Sequence, residues 1–356
     1  MDKDTTSAGS IDGRLVDDVL TAFFTREKSR AKVVHADYHA MWEHLEACTA
    51  GGKRFRPRLV MAVYRLLGGC DTTAAATVAA SFELLHTALI VHDDVVDRDY
   101  TRRGVPNISG TYRNLAASYG SSPERAEHTG LSIGVIAGDL ALTNAYRLLG
   151  EVDAGHATRR RLSGLLDEAV FASAAGELLD VLAPLDPMPQ PVADVLDMAR
   201  LKTAVYSFEA PLLAGAVLAG AEDQLVNALG EFGRCIGIAY QVADDLAGVF
   251  GDEAKTGKAG WGDLREGKRT ALMSHAATGP QWPRISGLLA RPELTAADVA
   301  EVRGLLTESG ARDRTEHLAA DFTERALQAL AQPFVPQAIR DGLAPISAVV
   351  SERIPA

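Results

Sequence analysis

Two short acidic runs carry the residue types best suited to holding a divalent cation. The first reads His92-Asp93-Asp94-Val95-Val96-Asp97. On a helix, Asp93 and Asp97 stand one turn apart on the same face, with Asp94 beside them. Carboxylates held that close repel one another unless a cation sits among them, and a few hard oxygen donors completed by water and phosphate suit Mg²⁺. Leu84 to Val91, just before, is almost wholly apolar, so these aspartates end a buried helix rather than lie on a solvated face. Arg102, Arg103, Gly104 and Pro106 follow at once, a turn that closes the helix and brings two phosphate-matching guanidiniums near the acids. Metal and arginine together point to a polyphosphate ligand; an acidic helix end with no ligand is the plain alternative.

The second run, Tyr240-Gln241-Val242-Ala243-Asp244-Asp245-Leu246-Ala247-Gly248, again puts an acidic pair at the end of an apolar helix, with Lys258 and Lys268 downstream. Two such helices can face each other across a cavity with metals between their carboxylates and basic groups at the rim. A basic signal comes earlier, at Gly51-Gly52-Lys53-Arg54-Phe55-Arg56-Pro57. Glycines at a helix start leave backbone N–H groups accessible, and Lys53 and Arg56, three apart, can face one anion. His86 lies seven residues before Asp93, two turns away on roughly the same face; a buried core histidine is the competing reading. Gly138-Asp139 and Gly176-Glu177-Leu178-Leu179-Asp180 are weak signals singly. Lys202, before Thr203 and heading a long apolar stretch, must reach solvent or pair with an anion.

The elements that must position these groups are helices. Apolar residues recur at helical spacing from Ile11 to Phe24 and over residues 36–48, 54–67, 72–92, 110–119, 124–149, 155–182, 191–219, 222–250, 296–308 and 313–332, while almost nothing alternates with period two. The fold class is therefore all-α. Residues 1–10 are expected to be disordered and 11–356 to form one domain, with the proline-rich Leu182 to Pro191 as the best candidate boundary.

The 356 residues are 47% apolar with a net charge of −11, which argues against nucleic acid and anionic membrane surfaces as partners. Cys48, Cys70 and Cys235 are scattered without CxxC spacing, supporting neither a disulfide framework nor a zinc site. The polar N-terminus has no signal core, and Ala210 to Ala221, read as the longest apolar stretch, is too short to span a bilayer. A cytoplasmic protein with no membrane span is expected.

With both acidic runs and GGKRFRP in order, residues 40 to 275 resemble the trans-isoprenyl diphosphate synthases (polyprenyl synthetases), most of all bacterial geranylgeranyl diphosphate synthases. The resemblance implies a single large helical bundle around a central cavity, in which Asp93, Asp94, Asp97, Asp244 and Asp245 hold three Mg²⁺ on an allylic diphosphate (dimethylallyl, geranyl or farnesyl). It implies that Lys53, Arg56, His86 and Arg103 bind isopentenyl diphosphate and that Arg102, Lys202 and Lys258 grip the allylic diphosphate. Thr203 and Gln241 would line the reacting carbons and leaving group, Tyr240 would contact the isopentenyl unit, and Lys268 would close the rim. The catalytic set is then Asp93, Asp94, Asp97, Arg102, Lys202, Thr203, Gln241 and Asp244, and a homodimer is expected. Three positions depart from the family pattern: Gly248 replaces a third aspartate, with Asp252 as a water-mediated substitute; Glu177 replaces a glutamine; Asn107 begins a segment without the histidine some members have. Ala88 and Leu89, five and four residues before Asp93, lie where the growing chain must pass, and a small Ala88 there suggests a C20 product. A C15 or C25 and longer product, a class I terpene cyclase and a catalytically weak partner subunit are the alternatives.

Overall fold

The computed structural model describes residues 3–52, 54–185, 189–251, 264–265, 267–289, 291 and 293–355, the side chains of 3–11 excepted. Expectations placed on Lys53, Asp252 and Lys258 lie outside the described residues. The chain divides into two compact units, residues 1–166 with 214–220 and residues 167–213 with 221–356. The segment Leu182 to Pro191, the candidate boundary, falls inside the second unit.

The first unit holds α1 (Lys3–Val34), α2 (Ala36–Thr49), α3 (Phe55–Leu66), α4 (Thr72–Val96), α5 (Ile108–Ser118), α6 (Pro123–Gly150) and the start of α7 (His156–Leu182). Helix α1 begins at Lys3, within the segment expected to be disordered. Helix α4 is the core of this unit, packed on α6, α3 and α1. Asp71 caps its start by accepting from the Ala74 N–H at 2.9 Å. Small residues from Ala74 to Ala80 permit close neighbours, while Phe82, Leu84, Leu85 and Val91 fill the interior. Helix α4 is long and apolar enough to cross a membrane, which corrects the reading of Ala210 to Ala221 as the longest apolar stretch. Most of it is buried inside the protein.

At the acidic end, Asp97 N–H donates to Asp93 O at 2.9 Å, Asp99 N–H donates to Asp94 O at 2.9 Å, and Arg98 turns left-handed with φ 54°. A short antiparallel hairpin follows, pairing Thr101 with Pro106 and Arg102 with Val105. Its two central residues, Arg103 and Gly104, have φ 55° and 78°, the pattern of a type I′ turn, whose twist matches that of the flanking strands. Asn107, buried, then locks the connection. Its Nδ2 donates to Asp99 O at 2.8 Å and its Oδ1 accepts from Gly110 N–H at 2.8 Å, capping α5.

The second unit takes the rest of α7, α8 (Val192–Ala199), a π-helical segment from Arg200 to Glu209, the start of α9 (Ala210–Leu218), α10 (Asp223–Phe250), and the helices Ala271–Ala277, Trp282–Leu289, Ala296–Glu308, Ala311–Leu330, Gln337–Leu343 and Ile346–Ser351. Helix α10 packs on Ala311–Leu330 and on the π-helical segment. One core cluster joins Leu246 and Val249 to Leu272, Leu288, Val302 and Leu306; another joins Ala204, Ile238 and Val242 to Ala319. The π-helical segment, read from sequence as part of one helix over 191–219, sits against two glycines that let backbone meet backbone. A Cβ at Gly176 would lie 2.3 Å from Lys202 N, and one at Gly237 would lie 2.6 Å from Ala204 Cα.

Candidate active site

In the first unit the end of α4 meets the hairpin. Arg102 Nε donates to Asp94 Oδ1 at 2.9 Å, and its Nη2 donates to Asp94 Oδ1 at 2.6 Å and to Asp93 Oδ2 at 3.2 Å. Asp94 is buried, Asp93 half-buried and Asp97 exposed. Burial pushes the Asp94 carboxyl above the ordinary carboxylate range, while the Arg102 hydrogen bonds and charge pull it back. His92 points its Nε2 at Asp139 Oδ1, 3.3 Å away, on the neighbouring α6.

Beside these acids opens a cleft of about 460 Å³, counted with its solvent-open mouth, whose lining includes Gly51, Gly52, Arg56, His86, Ile90 and Arg103. Gly51 and Gly52 both have positive φ, 83° and 76°, a backbone conformation that glycine adopts without strain. The Arg103 guanidinium lies over them; its Nη2 is 3.6 Å from where a Gly52 Cβ would stand. His86 is kept neutral, its pKa held well below the usual imidazole value by burial first and by Arg56, Arg102, Arg103 and Arg54 after it. Three of the four residues expected to bind isopentenyl diphosphate, Arg56, His86 and Arg103, thus share one cleft.

Ala88 and Leu89 occupy different surroundings. Helical geometry sets Leu89 about 40° around the axis from Asp93 and Ala88 about 140° away. The structure follows this: Ala88 is wholly buried, whereas His86, Leu89, Ile90, Asp93 and Asp97 form the more open face of α4. The accessible residue one turn below Asp93 is therefore Leu89.

In the second unit the π-helical segment and α10 carry the polar groups. Lys202 Nζ lies 2.6 Å from Asp180 Oδ2 and 2.9 Å from Glu177 Oε2, so the residue replacing a glutamine lies against a lysine. Thr203 Oγ1 donates to Gln241 Oε1 at 2.8 Å, which orients the amide so that its Nε2 donates to Asp245 Oδ1 at 2.8 Å. Asp244 is held by Arg353, from the C-terminal end of the chain, through Nε at 2.7 Å and through Nη2. The Arg353 guanidinium also lies 4.4 Å over the Tyr240 ring, and Phe208 packs 5.4 Å from that ring. Lys268 is exposed just before Thr270, which caps Ala271–Ala277.

Among the described residues, no three His, Cys, Asp or Glu side chains converge on a ready-made metal cage. The donor set nevertheless fits Mg²⁺, which keeps several waters and is held by one or two carboxylates together with substrate phosphates. Sequence reasoning missed Arg54, Glu83 and Arg353. Arg54 was in view inside GGKRFRP but its partners were not, and Arg353 stands 109 positions from Asp244, beyond any local pattern.

Comparison with known proteins gives a consistent result. A geranylfarnesyl diphosphate synthase of Aeropyrum pernix is 35% identical over 292 residues, covering 81% of this chain and 86% of its own. A geranylgeranyl diphosphate synthase of Mycobacterium tuberculosis is 32% identical over 319 residues, covering 86% of this chain and 81% of its own. The crystal structure of a Corynebacterium glutamicum geranylgeranyl pyrophosphate synthase, complexed with isoprenyl diphosphate and magnesium, matches with a TM-score of 0.88 at 29% identity, over 96% of this chain and 98% of that one. The family model for polyprenyl synthetase spans residues 38–305. That span takes in every acidic and basic site residue expected from the sequence, and this chain belongs to the polyprenyl synthetase family.

Proposed function

We propose that this protein condenses isopentenyl diphosphate with an allylic diphosphate in the presence of Mg²⁺, releasing a trans-polyprenyl diphosphate of C20. The observation that carries the reading is the adjacency, in one unit, of the Arg102-bound aspartates and the cleft of Arg56, His86, Arg103 and the two left-handed glycines. A terpene cyclase, which takes a single diphosphate, has no use for that second anion cleft.

Asp93, Asp94, Asp97, Asp244 and Asp245 would hold Mg²⁺, three ions in all, which when bound supply Lewis-acid neutralisation of the departing diphosphate. Arg102 and Lys202 add fixed positive charge for the same leaving group, so that the allylic C–O bond breaks with both electrons passing to the diphosphate. Arg56 and Arg103 hold isopentenyl diphosphate by its phosphates while its double bond attacks the allylic carbon. The resulting tertiary cation loses a proton to the released diphosphate and a new double bond forms. Thr203 and Gln241 form a polar pair whose hydrogen bonds to each other and to Asp245 keep them oriented during these steps. The apolar face of α4 excludes water that would quench the cation.

Chain length is assigned to Leu89 rather than Ala88, because Leu89 shares the open face of α4 with Asp93. The C20 product agrees with the name of the Mycobacterium tuberculosis relative, and C25 with that of the Aeropyrum pernix relative. A cytoplasmic homodimer completes the reading, with Phe171, Leu178 and Leu182, all exposed on one face of α7, covered by the second copy.

Purified protein incubated with Mg²⁺, isopentenyl diphosphate and each of the three primers, with dephosphorylated products separated by mass, tests the reading. A C20 alcohol is expected, and Leu89→Phe should shorten it. A hydrocarbon formed from one diphosphate alone would replace this reading with a cyclase.

A further inference from the structure

We propose that Arg54 is the positioning residue for the isopentenyl diphosphate cleft, with Glu83 and Asp17 as its anchors. The inference rests on the condensation reading above and adds the device that holds one of its two substrate sites in shape.

Arg54 adopts φ 48° and ψ 43°, a left-handed conformation that is unfavourable for a residue with a Cβ and persists only where its surroundings enforce it. The enforcing contacts are visible. Arg54 Nη1 donates to Thr49 O at 2.6 Å and to Glu83 Oε1 at 2.9 Å, and its Nε donates to Asp17 Oδ1 at 3.0 Å. These partners come from the end of α2, from α4 and from α1, so one guanidinium ties three helices to the loop. The Arg54 side chain is only 14% exposed, and that of Glu83 9%.

Arg54 lies in the wall of the cleft, but its Nε and Nη1 donors are spent on Asp17, Thr49 and Glu83. The two arginines of GGKRFRP therefore do different work. Arg56, two residues on in the first turn of α3, serves the cleft; Arg54 fixes the backbone from which Gly51, Gly52 and Arg56 present themselves. A Lys at position 54 keeps the charge but lacks the planar fork that reaches three acceptors at once.

The test compares Arg54→Lys and Glu83→Gln with the unaltered protein in steady-state condensation. Circular dichroism and thermal melting establish that each variant is folded. The KM for isopentenyl diphosphate is expected to rise about tenfold while the KM for the allylic primer stays within about twofold. Calorimetry with isopentenyl diphosphate alone should show the same loss of affinity without turnover. Equal rises in both KM values, or a lowered melting temperature with unchanged KM values, would assign Arg54 a merely structural role and overturn the proposal. If either variant fails to fold, Asp17→Asn removes the most exposed anchor and must still raise the KM selectively for the proposal to stand. Absence of condensation by the unaltered protein with every primer would instead overturn the function, a distinguishable result.

Discussion

Replacing Glu177 by Gln asks whether the carboxylate at this position restrains Lys202. Lys202 Nζ sits 2.9 Å from Glu177 Oε2 and 2.6 Å from Asp180 Oδ2, with all three side chains 27% exposed. Unit charges at that first separation attract by about 6 kcal/mol at an effective dielectric constant of about 20. Solvent screening and the ordering of two flexible side chains reduce the net value of such a pair to about 1 kcal/mol. The amide preserves shape and removes charge, so Lys202 has one carboxylate fewer to leave when it turns to a diphosphate. Calorimetric titration with Mg²⁺ and a non-hydrolysable geranyl thiolodiphosphate should therefore show about fivefold tighter binding by Glu177→Gln, the equivalent of about 1 kcal/mol. Unchanged or weaker binding would refute the idea that Glu177 competes with substrate for Lys202.

Other expectations follow from particular contacts. Arg353→Ala frees Asp244 of its guanidinium, so Mn²⁺ titrated with pyrophosphate and followed by electron paramagnetic resonance should bind a few-fold more tightly, in line with about 1 kcal/mol for a part-exposed pair; weaker binding would show that Arg353 assists the metal instead. His86 is depressed below its ordinary value of 6.5 by burial and by its arginine neighbours. The unfolded chain takes up a proton as pH falls through 6.5 and the folded chain does not, so this group's contribution is present above pH 6.5 and is lost towards the lower folded value. Urea titrations of His86→Gln should thus show a shallower loss of stability below pH 6.5 than the parent; parallel curves would remove His86 from the account. Finally, Phe171→Glu with Leu178→Glu, which charges residues 71% and 58% exposed on α7, should yield a monomer in sedimentation. A persisting dimer would place the interface elsewhere.

The sequence alone determined the helices and the charged residues at their ends. Apolar residues at helical spacing set α2, α3, α4, α6, α7 and α10 to within a few residues because periodicity and end signals are local. The charged residues of DDVVD, GGKRFRP and YQVADD were equally plain, since clustered carboxylates favour a cation and clustered basic groups an anion whatever the fold. Short helices such as Gln337–Leu343 and Ile346–Ser351 were not legible, because a turn or two carries too little periodicity to stand out.

Tertiary structure decided how those donors are held. The π-helical segment packs closely on Gly176 and Gly237, which belong to two helices distant in sequence and which let the backbone at Lys202 and Ala204 approach. Glu177 could have stood for an amide or a charge until Lys202 was found against it. Arg54 had no role in the sequence reading until Glu83 and Asp17 were found holding it. Asn107 looked like a missing histidine and proved to be the cap of α5 and the lock of the hairpin that carries Arg102. For Glu177 and Arg54 the deciding partner comes from elsewhere in the chain, whereas the partners of Asn107 are near neighbours whose use depends on the hairpin turn. A side chain's charge is written in the sequence, but what neutralises or orients it depends on which distant residue packing brings within hydrogen-bond reach.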